Sequence, residues 1–143
     1  MFKSFLFSIC FFSLLSCQGQ DHQQDSTAQS DSIRARPERT ISFSGYEWTV
    51  RNTNGKQGPG PNYFRDSSIS VDNKGYLHLW IKKNPATGRW ECAEITSKLS
   101  FEYGTYQFVV EGPIDKFDKN IVLGLFNYSG NNGLDEMDIE IAR

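Results

Sequence analysis

The sequence predicts an all-β fold of the kind found in antiparallel sandwiches and jelly rolls. Apolar and polar side chains alternate with a period of two, as in Leu77, Leu79 and Ile81, which is the period of a strand with one buried face. Clusters of Gly, Pro, Asn and Asp separate these runs. Aromatic residues, which strands favour, make up 14% of the 143 residues, and no stretch has the periodicity of a long helix.

Seven alternating runs are predicted to be strands. The turn signals between them include DNKG, NPATG and NYSGNNG. Strands at this spacing, joined by such turns, are typical of two-sheet β-proteins. The predicted strands are residues 40–43, 68–71, 76–82, 91–97, 104–110, 121–128 and 136–141.

The first 39 residues are predicted to lie outside the folded domain. Residues 1–16 carry one Lys and a short apolar run, which is typical of a secretory signal peptide. The run LLSC, ending at Cys17, resembles the lipobox of bacterial lipoproteins; this implies a lipidated Cys17, and a plain signal peptide is the alternative. Residues 17–39 are rich in Gln, Ser and Asp and are predicted to be a flexible tether. We therefore expect a bacterial exported lipoprotein, held at the outer membrane or cell surface through its lipid anchor.

Composition argues against nucleic-acid binding and against an intrachain disulfide. The net charge is −2 and no basic run exceeds two residues, so nucleic acid is not an expected partner. With Cys17 acylated and residues 1–16 removed, Cys92 has no partner for an intrachain disulfide. Cys92 is predicted to be a small buried apolar residue.

Three acidic residues alternate in the last predicted strand. Alternation places Glu136, Asp138 and Glu140 on one face, where like charges repel one another. The residues predicted to face the core are Met137, Ile139 and Ile141. The acids suit glycoside hydrolysis with retention, which needs one ionised carboxylate to attack the sugar and one protonated acid for the leaving oxygen. A solvated outer face is one alternative. Calcium binding is another, although a straight strand spreads oxygens that Ca²⁺ needs to converge.

The spacing of the two glutamates sets a geometric condition on that chemistry. Four residues of extended strand separate the Cα atoms of Glu136 and Glu140 by ~13 Å. Retaining enzymes hold the two carboxyl groups ~5–5.5 Å apart. Long Glu side chains on a concave strand can lean together across much of that gap, so the glutamates rather than the aspartate must occupy the flanks.

The segment DEMDIEIA resembles the E-x-D-x-E active-site strand of family 16 glycoside hydrolases. Upstream, the order of WECAEITS, YGTYQF and IVLGLFNYSG is similar to that in the lichenase-like members. The resemblance implies a concanavalin/lectin-like β-jelly-roll sandwich, incomplete in this chain, with residues 40–143 as the N-terminal part of the catalytic domain. It also implies endo-acting, retaining hydrolysis of a β-linked polysaccharide such as a β-glucan or galactan.

The same resemblance implies roles for individual acids. Glu136 would be the nucleophile, Asp138 the auxiliary acid and Glu140 the general acid/base. No cofactor is implied, and no metal ligand is assigned, although many relatives carry a structural calcium ion. The alternatives are an inactive carbohydrate-binding surface lipoprotein on the same fold and a structural or adhesive lipoprotein.

Several further residues are candidates for substrate binding. By the resemblance, Glu94 would be a substrate-binding glutamate and Tyr128 a subsite aromatic. Trp90 offers a ring for stacking on a sugar, and Asn127 an amide for its hydroxyl groups. Thr96 departs from the lichenase-like pattern, which tends to have an Arg at that position, so a hydrogen-bonding partner for the sugar is missing from the sequence motif.

Overall fold

The computed structural model describes residues 5–13, 38–129 and 136–143, and in these ranges the chain is all-β. The only helical segments there are two three-residue 3₁₀ turns, Asp66–Ser68 and Ile114–Lys116. The strands are β1 Phe5–Ser13, β2 Thr40–Phe43, β3 Tyr46–Val50, β4 Tyr63–Phe64, β5 Ile69–Val71, β6 Leu77–Leu79, β7 Lys82–Lys83, β8 Trp90–Phe101, β9 Ile121–Tyr128 and β10 Met137–Ile141. The predicted all-β class is confirmed.

Most strands belong to one large sheet. Its strand order is β10-β9-β1-β8-β3-β2, and each neighbouring pair along this path is antiparallel. Two short strands also pair with β8, β4 in parallel and β7 antiparallel. Strands β5 and β6 form a separate antiparallel hairpin. Two sheets of this kind are consistent with a sandwich.

The main core lies between the large sheet and the β5–β6 hairpin. Ile69 of the hairpin packs with apolar side chains from β3, β8 and β9. Burial of each large apolar side chain of this kind stabilises the fold by ~1.5–3 kcal/mol. The buried residues of this cluster are Trp48, Val50, Ile69, Ala93, Ile95, Leu123 and Leu125.

Two of the predicted turns are held by their own Asp and Asn side chains. The carboxylate of Asp72 accepts the backbone N–H of Tyr76 at 3.0 Å in the DNKG turn, where Gly75 has φ +86°. The amide oxygen of Asn84 accepts backbone N–H groups in NPATG, where Gly88 has φ +69°. The positive φ angles explain the need for glycine at these two positions.

The predicted strand at residues 104–110 is wrong, because this segment has no regular structure. The place beside β8 and β9 is taken by β1, which pairs with both of them, so residues 104–110 do not form a strand there. The segment predicted as a signal peptide thus supplies a central strand in this structure. Its cleavage, and the lipidation of Cys17, stay predictions, and residues 14–37 lie outside the described ranges.

The other strand predictions are confirmed with small changes in length. Residues 40–43 and 121–128 are strands with those bounds, while the predicted strand at 91–97 extends from Trp90 to Phe101. The strand predicted at 76–82 is limited to Leu77–Leu79. In the parts of the chain that are described, no helix is long and apolar enough to cross a membrane.

The prediction that Met137 and Ile139 face a core is also wrong. These side chains are 59% and 55% exposed, whereas Ile141 packs against the main core cluster. Strand β10 lies at the end of the sheet, and within residues 38–129 and 136–143 nothing buries this part of its apolar face.

Candidate active site

The register of the large sheet brings Glu140 and Glu94 to the same face. Glu140 pairs with Gly124 of β9, Gly124 with Cys10 of β1, and Cys10 with Glu94 of β8. Residues directly opposite each other in a ladder point to the same side of a sheet. We call this side, which also carries Glu136 and Asp138, the acidic face. Three strand spacings place β10 ~14 Å from β8.

Gly124 lies in the row between Glu140 and β1. It has no side chain to stand on the acidic face, and it is itself buried. A glycine inside a strand often marks a place where a ligand or another part of the backbone comes close.

The next row along the acidic face contains Asp138. Its partner in β9 is Phe126, which pairs through Ser8 of β1 with Thr96 of β8. Phe126 also packs against the small cluster of Phe64, Cys92 and Val122 on this side of the sheet. Apolar packing of Phe126 therefore supports the acidic face next to Asp138.

Two predicted sugar-stacking aromatics belong to the acidic face. By alternation Tyr128 points to this side at the level of Glu136, one residue beyond the Asn127–Met137 pair. Trp90 has the same parity as Glu94 in β8 and is half exposed. Both rings therefore lie on the same side of the sheet as the acids, and their role in sugar binding stays a prediction.

Asn127 is not brought to the acidic face. It alternates to the opposite side, is buried, and its amide oxygen accepts the backbone N–H of Met137 at 3.0 Å. This bond fixes the start of β10 against β9, which gives Asn127 a structural role close to the acids.

The pKa of Glu136 lies above its ordinary value. Partial burial is the main cause, followed by the negative charges of Asp138 and Glu140. A raised pKa is the direction expected of a proton donor, while a nucleophile must be ionised. The division of roles between Glu136 and Glu140 therefore stays a prediction.

Glu94 is held by an arginine that sequence reasoning did not find. Arg51 Nη1 donates to Glu94 Oε2 at 2.6 Å, and Arg51 Nη2 donates to Gln57 Oε1 at 3.1 Å. The Arg51 guanidinium also lies 4.0 Å from the centre of the Phe64 ring. Alternation of Trp48 and Val50 is a signal that could have placed Arg51, the residue after β3, on the polar side, but no strand was predicted at residues 46–50. No sequence signal indicated that β3 would lie beside β8.

A polar cavity of about 580 Å³ opens beside this ion pair. The side chains that give it its polar character include Arg39, Arg51, Asn54, Gln57, Glu94 and Thr96. A larger cavity of about 950 Å³ lies against the core side of the sheet, below the irregular segment that contains Tyr106 and Phe108, and it includes none of the predicted site residues. The smaller cavity is the one that shares a face with the acids.

Cys92 is buried in the small apolar cluster, as predicted. Its Sγ donates to the Tyr63 carbonyl oxygen at 3.4 Å. Burial, and then the negative charge of Glu94, raise the pKa of the thiol to about 12. Cys92 is therefore an uncharged thiol at neutral pH.

Residues 38–129 and 136–143 contain no group of three or more His, Cys, Asp or Glu side chains arranged to hold a metal ion. Comparison of the chain with known protein families, curated proteins and solved structures gave no match.

Proposed function

We propose that this chain carries the acidic strand of a retaining glycoside hydrolase with the family 16 jelly-roll fold. Its substrate would be a β-linked polysaccharide such as a β-glucan or galactan, cleaved at internal linkages of the polysaccharide. The observation that supports the proposal is the placement of Asp138 and Glu140 on one face of β10, where they pair with Phe126 and Gly124 of β9.

The proposed mechanism uses the acids in sequence. Glu136 attacks the anomeric carbon and forms a covalent glycosyl-enzyme, while Glu140 protonates the departing glycosidic oxygen. Glu140 then takes a proton from water, which hydrolyses the intermediate with net retention. Asp138 lies between them, and its negative charge contributes to the raised pKa of Glu136. No cofactor takes part in these steps.

The direct test is hydrolysis of a panel of β-glucans and galactans, read as new reducing ends and as the anomeric configuration of the first product. Glu136→Ala should abolish turnover and leave glycan binding intact. Glu140→Ala should slow substrates with poor leaving groups more than activated aryl glycosides, because only the former need protonation. Equal losses on both kinds of substrate would contradict the acid/base role of Glu140.

The pH profile tests the part played by Asp138. Because its charge raises the pKa of Glu136, Asp138→Asn should lower that pKa and move the acid limb of kcat/KM to lower pH. The acid limb reflects protonation of the nucleophile, so the sign of the shift is fixed. An unchanged limb would show that Asp138 does not tune Glu136.

A carbohydrate-binding surface lipoprotein without turnover is the second candidate. The polar cavity at Glu94 and the exposed ring of Trp90 offer binding groups that do not depend on the acids. In that case the unaltered protein would bind oligosaccharides, release no reducing ends, and bind equally well after Glu136→Ala.

The proposal includes export and attachment to the bacterial outer membrane or cell surface through a lipid on Cys17. That residue lies outside the described ranges. Metabolic labelling with a fatty-acid analogue should mark the protein, and Cys17→Ala should remove the label. Labelling that persists in the variant would contradict anchoring at Cys17.

A further inference from the structure

The β5–β6 hairpin carries three aromatic rings on its outer face. Leu77 and Leu79 of β6 pack against the main core cluster. Alternation therefore directs Tyr76, His78 and Trp80 to the other side of the hairpin, away from the core. Tyr76 and Trp80 are 47% and 42% exposed. We call the side chains of Tyr76, His78 and Trp80 the aromatic row.

Hydrogen bonds extend the hairpin beyond both ends of β6 and keep the row in line. The backbone N–H of Trp80 donates to the Ser68 carbonyl oxygen at 3.0 Å. At the other end, the backbone N–H of Asp72 donates to the Tyr76 carbonyl oxygen at 3.0 Å. The rings recur at every second residue of this extended backbone, so the Cα atoms of Tyr76 and Trp80 lie ~13 Å apart.

The rings of the row are held in fixed orientations. The ring centroids of His78 and Trp80 lie 5.6 Å apart, and the two planes are inclined by only 11°. His78 Nε2 lies 3.0 Å from Asp72 Oδ2, and the other oxygen of this carboxylate accepts the backbone N–H of Tyr76. The negative charge of Glu111, and then the hydrogen bond that it accepts from the phenol, raise the pKa of Tyr76. Preorganised groups lose little conformational entropy when a ligand binds.

The chemistry of the row suits an extended polysaccharide. Sugar rings have apolar C–H faces that stack on aromatic side chains, while their hydroxyl groups bind polar groups at the edge of the stack. Asp72 is such a polar group, and Ser70 lies beside His78 as its cross-strand partner. Tyr76 and His78 lie at the border of the larger cavity, whereas Trp80 lies on the open surface. A line of rings that ends on an open surface fits a polymer better than a small ligand, which a pocket would enclose.

The size of the row argues against a second copy of this chain as its occupant. An aromatic side chain can bury ~150–250 Å² in total. More than half of Tyr76 and of Trp80 is already covered. Together the two side chains thus offer ~200 Å², whereas a stable interface buries ~800 Å² on each partner. A sugar unit needs only the face of one ring.

The aromatic row and the acidic strand lie on opposite sides of the molecule. Leu125 of β9 belongs to the main core, so Phe126 and its partner Asp138 lie on the other side of the large sheet. The hairpin covers the core side of this sheet and directs the row outward. Packed sheets lie ~10 Å apart, so a short oligosaccharide on one surface does not touch the other. These placements depend on β9, β10 and the hairpin, and not on β1.

We infer that the aromatic row is a second binding surface for a β-linked polysaccharide, separate from the acidic strand and without a part in catalysis. Trp80 supplies the stacking face, His78 fixes the orientation of that ring, and Tyr76 extends the contact along the polymer. The inference goes beyond the proposed function, because binding at the row requires none of the acids. A protein that holds the polymer at the row raises the effective concentration of polysaccharide at its other surfaces.

The experiment measures co-sedimentation with the insoluble β-glucans cellulose and curdlan and with the galactan agarose. It uses the Glu136→Ala background, so that no polymer is consumed. We expect Trp80→Ala to weaken binding of the preferred polymer about tenfold, because stacking on the exposed part of the indole buries ~100 Å² of apolar surface. His78→Ala should weaken it severalfold. Trp80→Phe keeps a ring and should stay within about threefold of the parent.

Tyr103 provides a matched control. Its side chain is 86% exposed and lies outside the row, so Tyr103→Ala removes an exposed ring without touching the proposed surface. Binding should change by less than about twofold in this variant. Urea midpoints show whether each variant is folded, and His78→Ala tests the row if Trp80→Ala does not fold.

The outcomes separate the row from the proposed hydrolase. With Glu136 intact, Trp80→Ala should leave kcat/KM on a soluble aryl glycoside unchanged and lower the rate on the insoluble polymer. Binding that survives both Trp80→Ala and His78→Ala would overturn the inference and leave the hydrolase proposal as it stands. Binding through the row by a protein that cleaves no polymer would support the inference while the hydrolase proposal fails.

Three further results would overturn the inference. The first is equal weakening by Tyr103→Ala, which would show adsorption to any exposed ring. The second is a dimer in solution that Trp80→Ala abolishes, which would assign the row to a contact between copies of the chain. The third is the absence of binding to all three polymers by the folded parent protein.

Discussion

Two Arg–Glu ion pairs lie three residues apart on β8, and their surroundings differ. Arg51–Glu94 and Arg65–Glu91 have closely similar side-chain exposure. The oxygen Oε1 of Glu91 accepts both Arg65 Nε at 3.3 Å and Asn84 Nδ2 at 2.9 Å, while Arg65 also donates to the Thr53 carbonyl oxygen. Further hydrogen bonds from protein groups surround the Arg65–Glu91 pair, whereas the Arg51–Glu94 pair borders a polar cavity.

The difference shows that burial alone does not separate a structural ion pair from a candidate binding pair. An ion pair enclosed by protein groups leaves a partner without solvation when it is broken, which is strongly destabilising. An ion pair beside a cavity has solvent or a ligand as an alternative partner. We therefore expect the Glu91 pair to matter more for stability and the Glu94 pair more for binding.

The largest effect should come from Glu91→Ala. Removing this carboxylate leaves Arg65 and the Asn84 amide without their acceptor, and we expect a loss of ~3 kcal/mol in the free energy of unfolding. Urea denaturation followed by tryptophan fluorescence measures it. A loss below ~1 kcal/mol would contradict the structural role of this pair.

Glu94→Ala should have a smaller effect on stability, ~1–2 kcal/mol, because water in the cavity can solvate the Arg51 guanidinium. The same urea titration gives the comparison directly. If Glu94→Ala costs as much as Glu91→Ala, the two pairs are energetically equivalent and the proposed contrast is wrong.

Asn84→Ala tests how much the hydrogen bond from Asn84 to Glu91 contributes to stability, without removing a charge. The variant loses the bond from Asn84 Nδ2 to Glu91 and the side-chain bond that holds the NPATG turn, so we expect a loss of ~1 kcal/mol. Asn54→Ala is the matched control at the open pair, and its urea midpoint should not move. Equal shifts of the urea midpoint in Asn84→Ala and Asn54→Ala would contradict the proposed difference between the two ion pairs.

The last effect appears only at alkaline pH and concerns Cys92, which lies between the two glutamates in β8. Its pKa of about 12 exceeds the ordinary value of 9.0, so the unfolded chain releases the thiol proton first. Stability should fall as pH rises from about 9 toward 12, by at most ~1.4 kcal/mol per pH unit.

Glu94 and Glu91 should differ in their effect on the pKa of the Cys92 thiol. The charge of Glu94 raises the pKa of Cys92 more than that of Glu91 does, so Glu94→Gln should lower it more than Glu91→Gln. The pH dependence of the thiolate absorbance at 240 nm measures both variants. A larger shift of the Cys92 pKa in Glu91→Gln than in Glu94→Gln would contradict this ranking of the two charges.

The sequence was sufficient for the parts of the fold that depend on neighbouring residues. Alternation in residues 121–128 predicted β9, and the Asp and Gly of DNKG predicted a turn that the Asp72 side chain closes. Alternation also predicted that Asp138 and Glu140 share a face, because a period of two is a property of any extended strand.

Only the tertiary structure decided which strands lie beside one another. Residues 104–110 alternate as a strand does but remain irregular, since β1 takes the place between β8 and β9. Met137 and Ile139 have the pattern of core residues but are exposed at the end of the sheet. The same long-range pairing brings Arg51 to Glu94 from 43 residues away. Alternation is a local property of the backbone, whereas strand partners and burial depend on contacts between distant parts of the chain.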